Sequence, residues 1–379
     1  MFRTLRLVHL LSFIALAPCA VVAETRVSSS SNRSTRSAVS VLARINLALI
    51  DGDAKRALSL LNDRTLSISE TRHLSIEGRA HLLLRHDALA RRKLRSAVAL
   101  RPDDAVCWYW LGRAYQAGGS AALAASSFDK AHWHGLQSAE LFHHCAEALR
   151  DAGRVLGVLS QHHWPPSDTT TPKPGTFAFD GLLIEAVRGR PGWWVVASQD
   201  SALYQIHKAL AIEPNRGDSL LLCGELWATA HHEDLAVDLF QKAANHLAGK
   251  SLARCHEQWA QSLFRLSDFD GFLKHTRTNM RLSGQIDNAR LARCYDRAAR
   301  EAGGLGDLQR QLRYLKAAAD LEPSVDRMLR LADALFMAKQ SPRTTAYLHK
   351  ALAMRPTRKQ RRRIKQYLLR TTLLASPAQ

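Results

Sequence analysis

One stretch of this sequence has the residue spacing of a phosphate-binding loop. Residues 244–251 (ANHLAGKS) fit the loosened loop pattern in which alanine replaces the first glycine. Such a loop surrounds phosphates with backbone N–H groups because it follows a β-strand and opens a helix. Here an apolar helical run over 234–245 leads directly into the string. We therefore interpret it as a turn between helices and expect no nucleotide site.

The histidines are the next residues that could do chemistry. The chain has 17 histidines, and six of them form adjacent pairs: His143-His144, His162-His163 and His231-His232. Helices that bind metals usually present ligands three or four residues apart, because those positions share one face. No histidine pair has that spacing, and the sequence lacks HExxH, GxSxG and a strand-based GxGxxG. We expect no metal, no cofactor and no enzymatic activity.

Internal repetition says more about this chain than any single motif. Three stretches superimpose on one 34-residue template when Gly78, Gly112 and Gly224 are aligned. The alignment then matches Ala90, Ala124 and Ala236, next Leu94, Phe128 and Phe240, and finally Ala97, Ala131 and Ala243. Small residues at fixed places allow two antiparallel helices to approach closely, and the large ones fill the space between them. Each copy is predicted to be a helical hairpin that must stack on its neighbours.

The middle copy resembles the tetratricopeptide-repeat (TPR) family. The spacing of large and small residues is carried by Trp108, Leu111, Gly112, Tyr115, Ala124, Phe128 and Ala131. The resemblance implies an all-α fold, a right-handed α-solenoid of stacked hairpins. Apolar helical runs end at Pro102, Pro214, Pro323 and Pro356. Turn signals at Gly52-Asp53, Ser267-Asp268 and Gly306-Asp307 mark weaker copies.

These anchors predict about eight or nine hairpins in two lobes. The N-terminal lobe covers 38–160 and the C-terminal lobe 178–358, with irregular hairpins at 139–160 and 178–216. Between the lobes, the Pro- and Thr-rich segment 161–177 cannot continue a helix, and it is either a hinge or an insertion loop. A basic capping helix and tail occupy 359–379.

The N-terminus has the pattern of an export signal. Residues 1–23 combine Arg3 and Arg6 with an apolar run and small residues placed for cleavage before Glu24. A polar linker is predicted at 24–37, and cleavage and retention of the signal as an anchor both stay open. The five later cysteines lack paired spacing, which indicates small buried hydrophobes rather than disulfides. We expect an exported protein, periplasmic or secreted, with envelope association as an alternative.

Charge provides the second functional indication. The formal net charge is +19. A protein with this much positive charge has a surface that attracts polyanions. Its densest cluster consists of Arg358, Lys359, Arg361, Arg362, Arg363 and Lys365. A capping helix with one solvated face explains this cluster, and binding of acidic glycan or lipid headgroups on that face is the alternative. Nucleic acid is disfavoured because the run has no interleaved aromatic residues for base stacking.

The TPR resemblance implies a concave groove lined by the first helix of each hairpin, where peptides or protein segments bind. The groove positions predicted to bind a partner are Arg72, Arg79, Tyr109, Arg113, Glu140, His143, Glu147, Asp218, Leu221, Glu225, Arg254, Glu257, Arg293, Asp296, Arg300, Arg327 and Arg330. Arginine is frequent among them, which favours acidic segments because guanidinium binds carboxylate through two parallel hydrogen bonds. The lysines and asparagines of the family's carboxylate clamp are absent. A solvated arginine-rich face is the competing interpretation.

Together these observations predict an exported, non-enzymatic TPR scaffold that binds a protein or peptide partner in its groove, as an assembly factor of the cell envelope. The alternative is an envelope protein that binds polyanions through its basic exterior and C-terminal helix. Salt separates the two hypotheses, since binding that depends on charge alone is lost at moderate ionic strength.

Overall fold

The computed structural model describes residues 34–62, 68–157, 159–163, 175–178, 181–186 and 192–375. The predicted export signal, residues 24–33 of the predicted linker and most of the segment 161–177 lie outside these residues. The described chain contains seventeen helices and four strands. Two compact units divide it, the first ending at Pro214 and the second starting at Asn215.

The described part of the first unit starts with seven helices in sequence. Their bounds are α1 Ser34–Ile50, α2 Ala54–Leu61, α3 Glu70–Leu83, α4 Asp87–Leu100, α5 Ala105–Ala117, α6 Ala121–Trp133 and α7 Ala139–Asp151. Four strands and one helix follow: β1 Leu159–His163, β2 Phe177–Ala178, β3 Gly181–Ala186, β4 Trp193–Ala197 and α8 Ala202–Ile212. The helices pair as antiparallel hairpins, α1 with α2, α3 with α4, α5 with α6 and α7 with α8.

The second unit is wholly helical within the described residues. Its helices are α9 Gly217–Thr229, α10 Glu233–Ala244, α11 Gly249–Arg265, α12 Phe269–Leu282, α13 Asn288–Gly304, α14 Leu308–Leu321, α15 Val325–Met337, α16 Ser341–Ala353 and α17 Arg358–Ala375. They form four more hairpins, α9 to α16 in consecutive pairs, and α17 packs on the last of them. Residues 244–251, which match the phosphate-loop pattern, connect α10 to α11 and follow a helix, as the sequence indicates.

The repeat glycines explain how closely the two helices of a hairpin pack. Gly112 faces Phe128, and a Cβ atom built on it would lie 2.6 Å from the nearest ring carbon. Gly224 faces Phe240 at the same distance, 2.6 Å. Both phenylalanines are fully buried. The pairing of small and large residues predicted from the repeat is therefore the contact that closes these two hairpins.

Local turn chemistry starts and ends the helices. Gly52 and Gly306 have φ angles of 79° and 78°, and even Ser267 adopts a φ of 62°. Left-handed residues of this kind end helices. The aspartates that follow, Asp53, Asp268 and Asp307, accept hydrogen bonds from backbone N–H groups in the first turn of the next helix. Serine and aspartate caps recur at Ser69, Asp104, Ser138, Ser201, Asp287 and Ser324.

A four-stranded antiparallel sheet, in the order β1-β4-β3-β2, is inserted into the fourth hairpin. Leu159 to His163 pair with Ala197 to Trp193, and Leu182 to Ala186 pair with Ala197 to Trp194 across a bulge. The chain enters and leaves beside the same helix end, because Ala202 N donates to Arg154 O at 2.9 Å. The sheet is thus a loop insertion between α7 and α8.

This arrangement corrects two predictions made from the sequence. The irregular hairpins at 139–160 and 178–216 are one hairpin, formed by α7 and α8, and residues 181–186 and 193–197 are strands. The compact units divide after Pro214, not at 161–177. The physical reason is that β1 pairs with β4, which joins the two ends of the insertion and keeps α7 against α8 within one unit.

The core runs along the inside of each hairpin stack. In the second unit, α12 to α17 share one apolar cluster that includes Tyr314, Leu348 and the fully buried Ile364 of α17. The free thiols Cys107, Cys145, Cys223 and Cys255 are buried, and Cys294 is half-buried. Burial raises the pKa of Cys107, Cys223 and Cys255 to about 12, so these thiols remain protonated at neutral pH.

Among the described residues, no helix has the length and apolar character needed to span a membrane.

Candidate partner-binding faces

The first helices of successive hairpins contact one another within each unit. In unit 1 these are α1, α3, α5 and α7, and we call their shared exterior the first-helix face of unit 1. It places Arg72 and Arg79 on α3, Tyr109 and Arg113 on α5, and Glu140, His143 and Glu147 on α7. Each repeat of unit 1 from the second to the fourth therefore contributes predicted groove residues to this face through its first helix.

Arg79 occupies an unusual environment on this face. Its Nη1 donates to Asn46 Oδ1 at 3.4 Å, and its guanidinium carbon lies 4.6 Å from the centroid of the Trp110 ring. The Nε atom is inaccessible to water and has no hydrogen-bond partner. Burial lowers the pKa of Arg79 to about 10, against a weaker opposing effect of Tyr109 and Cys107. Within the described chain, no carboxylate pairs with this guanidinium, although it remains charged at neutral pH.

A hydrogen-bonded network connects α5 to α7 beside Arg79. The Arg113 guanidinium contacts His144 Nε2, and His144 Nδ1 lies 2.9 Å from Glu147 Oε2. Gln116 Nε2 donates to the same carboxylate oxygen at 3.0 Å. Burial opposes ionisation of Glu147, but hydrogen bonds from His143 and His144 outweigh it and hold the pKa of Glu147 well below its usual range. The predicted residues Arg113, His143 and Glu147 are brought together, and their charges compensate one another.

The same network contains three residues that could together ligate a metal, a combination that the spacing of the histidine pairs did not indicate. Ligand atoms of His143, His144 and Glu147 all lie within 4.8 Å of one another. The signal was the spacing of Glu147, four residues after His143 and three after His144, rather than a pair of histidines. These residues could ligate a metal, but Arg113 occupies the Nε2 side of His144 and would have to move. The hydrogen bonds above satisfy the cluster without an ion.

The first-helix face of unit 2 is formed by α9, α11, α13 and α15, and its arginines pair with acids of neighbouring repeats. Arg254 Nη2 lies 2.7 Å from Glu225 Oε2, and Arg327 Nε lies 2.8 Å from Asp296 Oδ2. Arg330 also reaches Asp296, at 3.2 Å. Two pairs are longer. Arg290 lies 3.6 Å from Glu257 of the preceding repeat, and Arg293 lies 3.9 Å from Asp287 at the start of its own helix. Arg300 is exposed, and Asp218 is partly exposed.

Five predicted groove residues are too buried to contact a partner directly, because each is 7% exposed or less: Tyr109, His143, Leu221, Asp296 and Arg327. Tyr109 is 5% exposed, with Trp110, Phe128 and His144 around its ring, and Leu221 is also 5% exposed. Arg327 is 7% exposed and is held by Asp296 and Glu322. They lie on first helices of their hairpins, but packing within the unit covers their side chains. We therefore assign them to the packing beneath the surface.

Helix α17, which carries the basic cluster, has an apolar side and a basic side. Ile364 is fully buried in the core of unit 2, and Tyr367 and Leu368 pack beside it. Arg363 Nη2 lies 2.7 Å from Asp333 Oδ2 on α15. The remaining cations of the cluster are exposed: Arg358, Lys359, Arg361, Arg362 and Lys365. The helix covers the last hairpin with its apolar side and presents positive charge on the other.

The chain therefore folds as a solenoid of stacked helical hairpins, the fold that the TPR resemblance implies. No protein-family profile matches the sequence. No curated protein matches it. Among solved structures, a tetratricopeptide repeat protein from Parabacteroides merdae is 13% identical, with 80% of this chain and 99% of that chain covered and a TM-score of 0.42.

Two further solved structures are similar to the chain at the same level. PilW, described as a widely conserved type IV pilus biogenesis factor, is 12% identical over 67% of this chain and 94% of that chain, with a TM-score of 0.43. YrrB, described as a TPR protein with an unusual peptide-binding site, is 13% identical over 70% and 91%, with a TM-score of 0.36.

Proposed function

We propose that this protein is a non-enzymatic scaffold that binds an acidic segment of a protein partner on the first-helix face of unit 1. The single observation that carries the proposal is the environment of Arg79. Its guanidinium is largely buried, its Nε has no hydrogen-bond partner, and no carboxylate of the described chain pairs with it. The export signal predicted at residues 1–23 supports a site of action in the periplasm or outside the cell, with a role in envelope assembly.

The chemistry of Arg79 favours a carboxylate over other groups. A cation removed from water without a counter-ion is unfavourable, and an incoming carboxylate would supply that counter-ion. Guanidinium can donate two parallel hydrogen bonds to it, and the neighbouring Trp110 face fixes the orientation of the guanidinium plane. In unit 2, carboxylates of the chain already fill this role for Arg254 and Arg327. The preference for acidic segments is therefore assigned to unit 1.

The test is selection from a random peptide display library on the purified protein, followed by affinity measurement with the enriched peptides. We expect Asp and Glu to be enriched, and affinity to fall about tenfold or more in Arg79→Gln, which corresponds to about 1.4 kcal/mol or more. Arg79→Lys keeps the charge but loses the planar fork, so we expect an intermediate loss.

Arg95→Gln is the matched control, because Arg95 is an exposed arginine of the same unit on α4, a second helix. It removes the same charge and should leave peptide affinity unchanged. Enrichment of peptides without acidic residues would contradict the proposal. So would equal affinities for wild type, Arg79→Gln and Arg95→Gln.

The exposed cations of α17 support a second candidate, binding of an acidic polymer to the basic exterior. Heparin can serve as the probe, with wild type compared to a variant in which Arg358, Lys359, Arg361 and Arg362 are replaced by glutamine. Under this candidate, heparin binding should fall steeply between low and moderate salt and should be weakest in the variant. Peptide binding at Arg79, which is largely buried, should be much less sensitive to salt.

A further inference from the structure

A cavity of about 510 Å³ lies in unit 2 between α12, α13 and α14. It is formed mainly by second helices of the hairpins, so it is distinct from the first-helix face. Buried apolar side chains form part of its lining: Leu273 and Met280 from α12 and Leu291 from α13. A cavity of this size falls in the range typical of small-molecule sites.

Three cations of α12 line the same cavity, Lys274, Arg277 and Arg281. Their spacing of three and then four residues places them on one side of the helix. All three are exposed, and Arg277 Nη2 donates to Tyr295 OH at 2.9 Å. Neither Lys274 nor Arg281 forms an ion pair within the described chain. The cavity therefore combines an apolar floor with an uncompensated positive rim.

Among the described residues that line the cavity, Asp270 is the one carboxylate, and its charge is already neutralised. Asp270 accepts hydrogen bonds from Arg313 Nη2 at 2.7 Å to both of its oxygens. It also accepts one from Tyr314 OH, at 2.9 Å. Asp270 therefore offsets the charge of Arg313 and leaves the three cations of α12 available to an incoming anion.

We propose that this cavity binds a small amphipathic anion, a ligand with an apolar body and one acidic head. The body packs on Leu273, Met280 and Leu291, and the head is held by Lys274, Arg277 and Arg281. Charge complementarity excludes cationic amphiphiles, and the apolar floor favours such a ligand over free phosphate. The proposal does not depend on the peptide site of unit 1, because no residue is shared between them.

The probe for this test is 1-anilinonaphthalene-8-sulfonate, measured against N-phenyl-1-naphthylamine, which has the same aromatic body without the sulfonate. We expect the full-length protein to bind the sulfonate at one site by fluorescence titration and equilibrium dialysis. Affinity for the neutral analogue should be about tenfold lower or weaker, because the contact of the sulfonate with the cations is lost.

Two variants test the two parts of the site. A Lys274→Gln/Arg277→Gln/Arg281→Gln variant should lose the preference for the sulfonate and bind both probes weakly. Ala317→Leu fills part of the cavity without removing a charge, and it should lower the affinity for both probes. Arg358→Gln/Arg361→Gln/Arg362→Gln removes the same charge from the exposed side of α17 and should bind both probes as wild type does.

Equal sulfonate affinity in wild type and in both cavity variants would overturn the proposal, as would an equal loss in the α17 control. Circular dichroism and the melting temperature verify that each variant is folded, and Ala317→Leu remains decisive if the triple variant does not fold. If an acidic peptide selected on the first-helix face displaces the probe, the cavity belongs to a protein-binding surface and the small-ligand proposal is overturned.

Discussion

At the scale of single residues, Gly224 determines how closely two helices of unit 2 pack. It lies on α9 and faces the Phe240 ring of α10 with no room for a methyl group, since a Cβ would be 2.6 Å from the ring. Glycine is otherwise unfavourable inside a helix by up to about 1 kcal/mol relative to alanine. The contact with Phe240 therefore explains why glycine occupies this position.

Gly224→Ala should destabilise the protein despite the higher helix propensity of alanine. The methyl group must displace a fully buried phenylalanine, and overpacking of this kind costs about 1–3 kcal/mol. Urea unfolding followed by circular dichroism measures the change. Gly224→Ala combined with Phe240→Leu should be less destabilised than the sum of the two single variants, because the smaller side chain leaves room for the methyl group.

Gly304→Ala is the control for this prediction. Gly304 lies at the end of α13 with no heavy atom within 4 Å of a built Cβ, so alanine there should be neutral or slightly stabilising. If Gly224→Ala were as stable as Gly304→Ala, the close contact between α9 and α10 would not limit the residue at this position.

At the scale of elements, polar contacts between adjacent first helices recur at about one repeat of separation. Glu225 and Arg254 are 29 residues apart, Gln116 and Glu147 are 31 apart, and so are Asp296 and Arg327. Stacked hairpins bring such positions together once per repeat. The contact of Arg254 with Glu225 is exposed and that of Gln116 with Glu147 is partly buried, whereas Asp296 and Arg327 are both 7% exposed.

Asp296→Leu should lower the free energy of unfolding by about 3 kcal/mol, because it leaves the buried Arg327 with a single carboxylate partner, Glu322. Addition of Arg327→Met should recover a large part of this loss by replacing the buried charge with an apolar side chain. Urea unfolding of wild type, both single variants and the double variant gives the coupling free energy.

Glu257→Gln provides the comparison, since Glu257 and Arg290 form an exposed pair at 3.6 Å. Its effect should stay below about 1 kcal/mol. Equal effects of Asp296→Leu and Glu257→Gln would show that the buried pair does not stabilise the contact between α13 and α15.

The hairpins could be predicted from the sequence, and the sheet could not. Hairpins at Gly78, Gly112 and Gly224 are predictable because the small and large residues of a hairpin lie close together in the chain and repeat. The repeat pattern does not predict the sheet, although residues 193–197 (WWVVA) are rich in aromatic and β-branched residues, because these strands are fixed by pairing with residues distant in the sequence.

The candidate site was predictable only in part. Template positions placed Arg79, Arg113 and Glu147 on the correct helices, since position in a repeat fixes the face. They could not reveal that Arg254 and Arg327 are neutralised while Arg79 is not. Pairing depends on which side chain the neighbouring repeat presents, and this requires the register between helices as well as the pattern within each.

At the scale of the whole molecule, each of the two units contains a histidine that is held neutral. The pKa of His207, in unit 1, is lowered to about 4 by burial. The pKa of His275, in unit 2, is also lowered to about 4, first by burial and then by His256 and Lys274, with a smaller opposing effect from Asp268. Its ring also stacks on Trp259, with centroids 3.8 Å apart. Both units should therefore respond to mild acid.

The direction of this response follows from proton binding. Between pH 6.5 and 4 the unfolded chain protonates these histidines while the folded chain does not, so stability is lost as pH falls through this window. For His275, which is 7% exposed, the contribution is about 3 kcal/mol at most. Glu147, whose pKa is also lowered, affects stability only nearer the ordinary carboxyl pKa of 4.5 and below.

We expect His275→Gln to reduce the stability difference between pH 7.5 and pH 5, because glutamine does not titrate. Urea unfolding at the two pH values measures this difference, and a general loss of packing against Trp259 would affect both values alike. His349→Gln, at an exposed histidine of α16, should retain the wild-type difference. An unchanged difference in His275→Gln would show that the pKa of this histidine is not lowered in the folded protein, and acid sensitivity would then have to come from other groups.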